Sequence, residues 1–145
     1  MAETSSIGVK STSVVVCRLD RGEDLIQGIR KAAEKHKVKS GSFSAIGVLN
    51  PARLGYRDKT TMSYKAIEFK DNVELVSCSG LITQKDGTTD IHAHLVVSDE
   101  DGLAHGGHAL EGCKVEVTCE LIIFAFDRTL KRKPIPSENR YALDL

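Results

Sequence analysis

From residue 41 onward the chain is one short β-rich segment after another. SFSAIGVLN, ARLGYRD, SYKAIEF, VELVSCSGLIT, DIHAHLVVS and KVEVTCELIIFAF are separated by turn signals such as KDGTTD and SDEDG. Before them stand a strand-like segment, TSVVVCRL at 12 to 19, and one amphipathic stretch, LDRGEDLIQGIRKAAEKHKV. One early helix followed by a run of strands predicts the α+β class. The expected architecture is an antiparallel β-sheet with one main N-terminal helix packed on one face.

Within the helical stretch, Leu25, Ile29, Ala32, Ala33 and His36 fall on one side, and Arg30, Lys31, Glu34 and Lys35 on the other. Asp20 is the expected N-cap, with Glu23 completing a capping box. His36 is read as a helix-end residue near the core margin. The 145 residues read as one domain with a core of about 10 to 126. The tail, DRTLKRKPIPSENRYALDL, loses periodicity and holds two of the three prolines, so it is read as a docked arm or a partly disordered end.

Charge narrows the function. Lys plus Arg equals Asp plus Glu at 20 each, which argues against a domain that grips DNA by general electrostatics. MAETSSIGVKS lacks the basic start and apolar run of a secretory signal, and no apolar run approaches the roughly 20 residues of a membrane span. A cytoplasmic protein with no membrane partner is expected. Cys17, Cys78, Cys113 and Cys119 are scattered without a CxxC spacing, and read as buried reduced thiols.

Four of the five histidines lie in IHAHLVVSDEDGLAHGGHAL, residues 91 to 110. On a strand, Ile91, Ala93, Leu95 and Val97 would face the core, and His92, His94 and Val96 the other side. Two imidazoles that close repel when protonated, so a shared cation is a natural reason to keep both neutral. The loop SDEDG would reverse the chain, and Gly106 and Gly107 would aim His108 back at the pair. Three histidines with a vacant fourth position match a reactive zinc site. Imidazole also suits copper, nickel and iron, so the expected cofactor is zinc or another divalent transition metal, about one per chain. The rival reading of the same residues is a polar cluster in a subunit interface. His105 competes with His108, but is expected outside the ligand set.

The order and spacing of four blocks carry a family resemblance. They are the opening strand with RGEDLIQGIRKAAEKHKV, then SGSFSAIGVLNPARLGY, then ELVSCSGLIT with KDG, then HAHLVVSDEDGLAHGGHALEGCKVEVTCEL. Over about residues 10 to 126 the chain resembles the Plants and Prokaryotes Conserved (PPC) domain family, in its free-standing prokaryotic type. That resemblance implies a compact α+β fold, a homotrimer, and a DNA-associated or regulatory role. It also implies metal ligation by the HxH and GGH histidines, here His92, His94 and His108. The sequence departs from the plant members in lacking an Arg-Gly-Arg-Pro hook. KRKP at 131 to 134 lacks the hook's glycine and reads as a solvated basic patch.

A more distant similarity is to acetolactate decarboxylases, which also carry HxH followed by GGH, at shorter spacing. It implies a shared metal site and not a shared reaction. Two functions follow as expectations. One is a zinc-binding, trimeric binding or regulatory module with DNA or a small molecule as partner. The other is a small zinc-dependent lyase or hydrolase acting on a small carbonyl or carboxylate substrate. A purely structural metal that pins strand to loop is the third reading. For the enzyme, Glu120, Glu111 and Asp101 are the candidate acids or bases, with Arg53 as an anion clamp.

Overall fold

The computed structural model describes residues 4–145. In chain order the elements are β1 (Ser11–Asp20), α1 (Leu25–Lys35), β2 (Gly41–Leu49), β3 (Ala52–Arg57), β4 (Tyr64–Phe69), β5 (Val73–Lys85), β6 (Thr88–Ser98), β7 (Ala104–Ala109), β8 (Val115–Phe126), β9 (Arg132–Ile135) and β10 (Arg140–Leu143). Strands β1 to β8 form one sheet in the order β1-β8-β2-β5-β6-β7-β3-β4, with every neighbouring pair antiparallel. The fold is α+β, as the sequence pattern predicts.

Alternation along each strand splits the sheet into two unlike faces. One register row joins Val15, Ile123, Phe43, Gly80 and Ala93 across five strands. Its side chains are buried, and α1 covers them by inserting Leu25, Ile29 and Ala33, none of which keeps any exposed surface. The adjacent row runs on the opposite face, and near β1 that face is apolar yet bare. Val14, Val16, Ile46, Ile122 and Phe124 are 40% to 75% exposed. Each fully buried side chain of this size contributes about 1.5–3 kcal/mol, so leaving five uncovered is a feature that calls for a partner surface.

The helix starts four residues later than its sequence signature suggests. Asp20 still belongs to β1, paired with Thr118, and Arg21 and Gly22 turn the chain before the helix begins. Its backbone N–H does donate to Glu23 Oε2 at 2.8 Å, so the predicted contact forms, but in that turn. Asp24 is the N-cap. Its Oδ1 accepts from Gln27 N–H at 3.1 Å, and its Oδ2 from Gly112 N–H at 2.7 Å. His36 is the C-cap, exposed and away from the core margin expected for it.

The tail is a docked arm. Strands β9 and β10 pair as a hairpin, and Leu130 just before them is buried, its carbonyl accepting from Gln84 N–H at 2.9 Å. The KRKP segment is therefore not a wholly solvated patch: the Arg132 side chain is only 9% exposed and pairs with Asp90. A residue that forms a buried pair gives no periodic signal in sequence. Among the described residues, no helix is long and apolar enough to cross a membrane.

Capping by Asp24 predicts a measurable asymmetry. Asp24→Ala should destabilise the protein by about 1–2 kcal/mol, through the lost cap and an unmet Gly112 N–H. Asp20→Ala should stay within about 0.5 kcal/mol. Urea unfolding of the two variants checks this, and equal losses would return the cap to Asp20.

Candidate metal centre

The bare face changes character as it crosses the sheet. One register row reads Val16, Ile122, Ser44, Ser79, His94, His108, Gly55 and Ala66, from β1 to β4. His94 on β6 thus stands directly opposite His108 on β7, and His92 lies two residues along β6 on the same face. The three ring centroids form a near-equilateral triangle with sides of 5.3, 5.3 and 5.4 Å. One nitrogen from each lies within 4.8 Å of the others. A tetrahedral zinc site with bonds of 2.0–2.1 Å has nitrogens about 3.4 Å apart, so modest side-chain rotation would close the set.

Residues 104 to 109, expected to return as a glycine-turned loop, are a strand, and this changes what aims His108. Neither Gly106 nor Gly107 adopts a positive φ. His108 faces His94 because the β6–β7 register puts it there. Gly107 is needed for close approach, since a Cβ there would sit 3.0 Å from Gly55 O. Strand geometry also settles His105: three residues from His108, it points to the other face. There its Nε2 lies 2.9 Å from Asp99 Oδ2, with its ring 4.9 Å from Phe69.

Packing disfavours the charged forms of His92 and His108. Burial, then the nearby Arg132 and His94 charges, lowers the His92 pKa from its ordinary value. Burial, helped by His92 and His94, lowers that of His108 to about 4. Tyr64 stacks on His108 with centroids 4.5 Å apart and planes at 16°. The ring reaches this position over Gly55, where a Cβ would come within 2.9 Å of Tyr64 Cδ1. His108 Nδ1 is buried with no hydrogen-bond partner. A neutral imidazole nitrogen that burial has stripped of water and left unpartnered is an atom that a metal, or a group bound beside it, can satisfy. The residues present fit a metal ion.

The acid, base and clamp candidates lie elsewhere. Glu111 accepts from Gln27 Nε2 at 2.7 Å, beside the helix. Arg53 is held by Glu68 at 3.0 Å and by Glu111 O at 2.9 Å. Glu120 is exposed on β8, in register with Arg18 and Ile46, and Asp101 is exposed in the turn after β6. None lines the cavity of about 550 Å³ that His92 and His108 border. Arg57, Asp90 and Arg132 line it instead. Asp90 was within reach of sequence reasoning, because DIHAH gives it the same strand parity as His92 and His94. Arg132 was not, since nothing in the aperiodic tail says where it docks.

The cysteines are free thiols, with Cys78, Cys113 and Cys119 in the core and Cys17 half-buried. Burial pushes Cys78 up to about 12 and Cys119 up to about 11, so both are neutral sulfhydryls and poor ligands.

A sheet covered by one helix on one face, with paired histidines on the other, defines an α+β domain of a recognisable kind. The chain belongs to the Plants and Prokaryotes Conserved (PCC) domain family, whose model matches residues 7–127. It is similar to a plant- and prokaryote-conserved protein of Pyrococcus horikoshii, with 26% identity, a TM-score of 0.87, and coverage of 98% of this chain and 99% of that one. A candidate DNA-binding protein of Ralstonia eutropha JMP134 is 28% identical at a TM-score of 0.82, covering 94% and 95%. A metal-containing protein of Archaeoglobus fulgidus shares the fold at 24% identity and a TM-score of 0.87, covering 96% and 98%. The likeness to acetolactate decarboxylase is one of fold: the Bacillus subtilis enzyme matches at a TM-score of 0.57 and 16% identity, over 90% of this chain and 59% of that one. Bifunctional protein GlmU of Synechococcus sp. (strain JA-3-3Ab) is 30% identical over 137 residues, 93% of this chain and 21% of that protein. The chain spans about a fifth of the length of such curated relatives.

Lowered histidine pKa values have a definite sign. As pH falls below about 6.5, the unfolded chain takes up protons that the folded His92 and His108 refuse. Chelator-treated protein should hold its stability above that pH and lose it progressively toward pH 4, where His108 titrates. Urea midpoints between pH 7.5 and 4.5 check this. His108→Gln should flatten the slope, and an unchanged slope would show that the imidazole is not held neutral.

Proposed function

We propose that the chain is a metal-binding PCC-domain protein that works as a regulatory binding module for a small molecule. His92, His94 and His108 hold one ion per chain, zinc or another divalent transition metal. The observation that carries this reading is the meeting of three imidazoles, two of which, His92 and His108, border an open cavity, with the buried Nδ1 of His108 left without a partner. A three-histidine ion keeps a position free, and such an ion supplies a Lewis acid to whatever occupies the cavity. The chain's own part is to disfavour protonation of His92 and His108, fix the His108 ring under Tyr64, and shape the space beside them.

The protein assembles as a homotrimer in this reading. Val14, Val16, Ile46, Ile122 and Phe124 favour an assembled state, since a contiguous apolar sheet face is poorly tolerated in a free chain. The number three comes from the family resemblance. Free thiols throughout agree with action in the cytoplasm.

The cavity also favours a second reading, a small zinc-dependent lyase or hydrolase acting on a carbonyl or carboxylate compound. Its weakness is the base. Asp90 is the carboxylate at the cavity, and it is held by Arg132 at 3.1 Å and Lys85 at 3.3 Å. A carboxylate engaged by two cations is already committed, and a general base has to reach the substrate proton. DNA association comes to this chain from the Ralstonia relative. Balanced charge opposes it, as does the turning of Arg57, Arg132 and Arg140 to the cavity.

Elemental analysis of tag-free protein should find about one transition-metal ion per chain, and His92→Ala and His108→Ala should each fall below about a tenth of that. Full metal in both variants would overturn the site. Light scattering should give three chains, with Phe124→Asp dissociating them. Titration with duplex DNA at low and moderate salt should detect no binding at either. Turnover of oxo-acids or esters that is abolished by a chelator would move the reading to the enzyme.

A further inference from the structure

The cavity beside His92 and His108 is bordered on its other side by the hairpin of β9 and β10, and its charge is one-sided. Arg57, Lys85, Arg132 and Arg140 line it, with Asp90 as the only carboxylate among the described residues. Arg132 is the most informative of them. A side chain 9% exposed leaves its guanidinium little water, and a buried cation is costly unless its N–H groups are met. Its Nε is met, by Asp90 Oδ2 at 3.1 Å and Thr83 Oγ1 at 3.0 Å. Its two terminal nitrogens make no hydrogen bond to protein among the described residues and are not sealed from solvent, so they are free to receive a ligand. Arg132 borders the same cavity as His92 and His108.

The other cations are incompletely answered. Arg57 donates to a carbonyl, Glu138 O, at 2.6 Å, which satisfies a hydrogen bond without neutralising the charge. Lys85 shares Asp90 with Arg132, and Arg140 pairs with Glu138. Two carboxylates thus answer three of the four cations, and among the described residues Arg57 pairs with none. An ion on the histidines would add further positive charge to the same space.

We infer that this cavity binds a small organic anion, whose carboxylate or phosphate oxygens are received by Arg132 and Arg57 beside the three histidines. The planar fork of an arginine matches either group with two parallel hydrogen bonds. Leu81, Ile91 and the Tyr141 ring add apolar wall for a carbon skeleton, and about 550 Å³ is room for a metabolite-sized molecule and not merely a bare ion. The inference deepens the proposed small-molecule role and rests on that reading. The arginine contacts themselves do not require the metal.

Calorimetric titration of citrate and of glycerol 3-phosphate into metal-loaded and chelator-treated protein tests this, with glycerol as the neutral control. At least one anion should bind both forms, more tightly when metal is present, and glycerol should bind neither. Whichever anion binds more tightly identifies the favoured head group. Arg57→Gln and Arg132→Lys should each weaken binding by about tenfold or more while metal content stays at the wild-type level. Should Arg132→Lys fail to fold, Arg57→Gln carries the test, since the Arg57 side chain bonds only a carbonyl and lies 5.9 Å over the Tyr64 ring. The inference falls if neither anion binds, if glycerol binds as well, or if the foldable variants bind like wild type. Full metal without anion affinity would sink this inference alone. Anion affinity retained in a protein that takes up no metal would sink the metal site alone.

Discussion

The antiparallel register between β6 and β7 is the constraint on which the rest of the site depends. Side chains on a strand alternate with a period of two, so a register shift of one residue would turn His108 to the helix face and leave His94 without an imidazole opposite it. The observed pairing is fixed from both sides. Leu95 and Val97 are buried in the core on one face, and the close approach of Gly107 to Gly55 seats β7 against β3. The hydrophobic core thereby sets the geometry of a polar cluster on the opposite face. No residue of the triad has to specify its own position.

That coupling explains which features could be read from sequence. The strands announce themselves because half-buried strands alternate, and the HxH pair follows from the same period. His108 was reachable for a partly mistaken reason: GLAHGGHAL looks like a flexible return, because glycine depresses strand propensity. The segment is nonetheless extended, since two flanking strands supply the hydrogen bonds that its own side chains do not encourage. The helix start was misjudged because Asp20 and Asp24 are both acceptable caps locally. Pairing of Asp20 with Thr118, distant in sequence, keeps it in the strand.

Long-range docking is the part that local pattern does not encode. Arg132 sits 42 positions beyond Asp90, in a segment with neither strand nor helix periodicity, yet it forms the wall of the cavity next to His92. The acidic residues that composition brings forward, Glu111, Glu120 and Asp101, are at the helix side, on β8 and in a turn. Proximity to a motif in sequence is a poor guide when neighbouring strands in the sheet are joined by register and not by chain order.

The two faces of the sheet carry different tasks, and the division runs along single rows. In the row through His94, apolar residues at the β1 end give way to serines and then to histidines, so one surface passes from a region suited to another protein to a region suited to an ion. Ser44 and Ser79 separate these regions with small polar side chains that neither ligate strongly nor demand burial. The two regions belong to one sheet but to different strands, the apolar one to β1, β8 and β2 and the histidines to β6 and β7, with β5 between them, so a partner seated on the first need not cover the second.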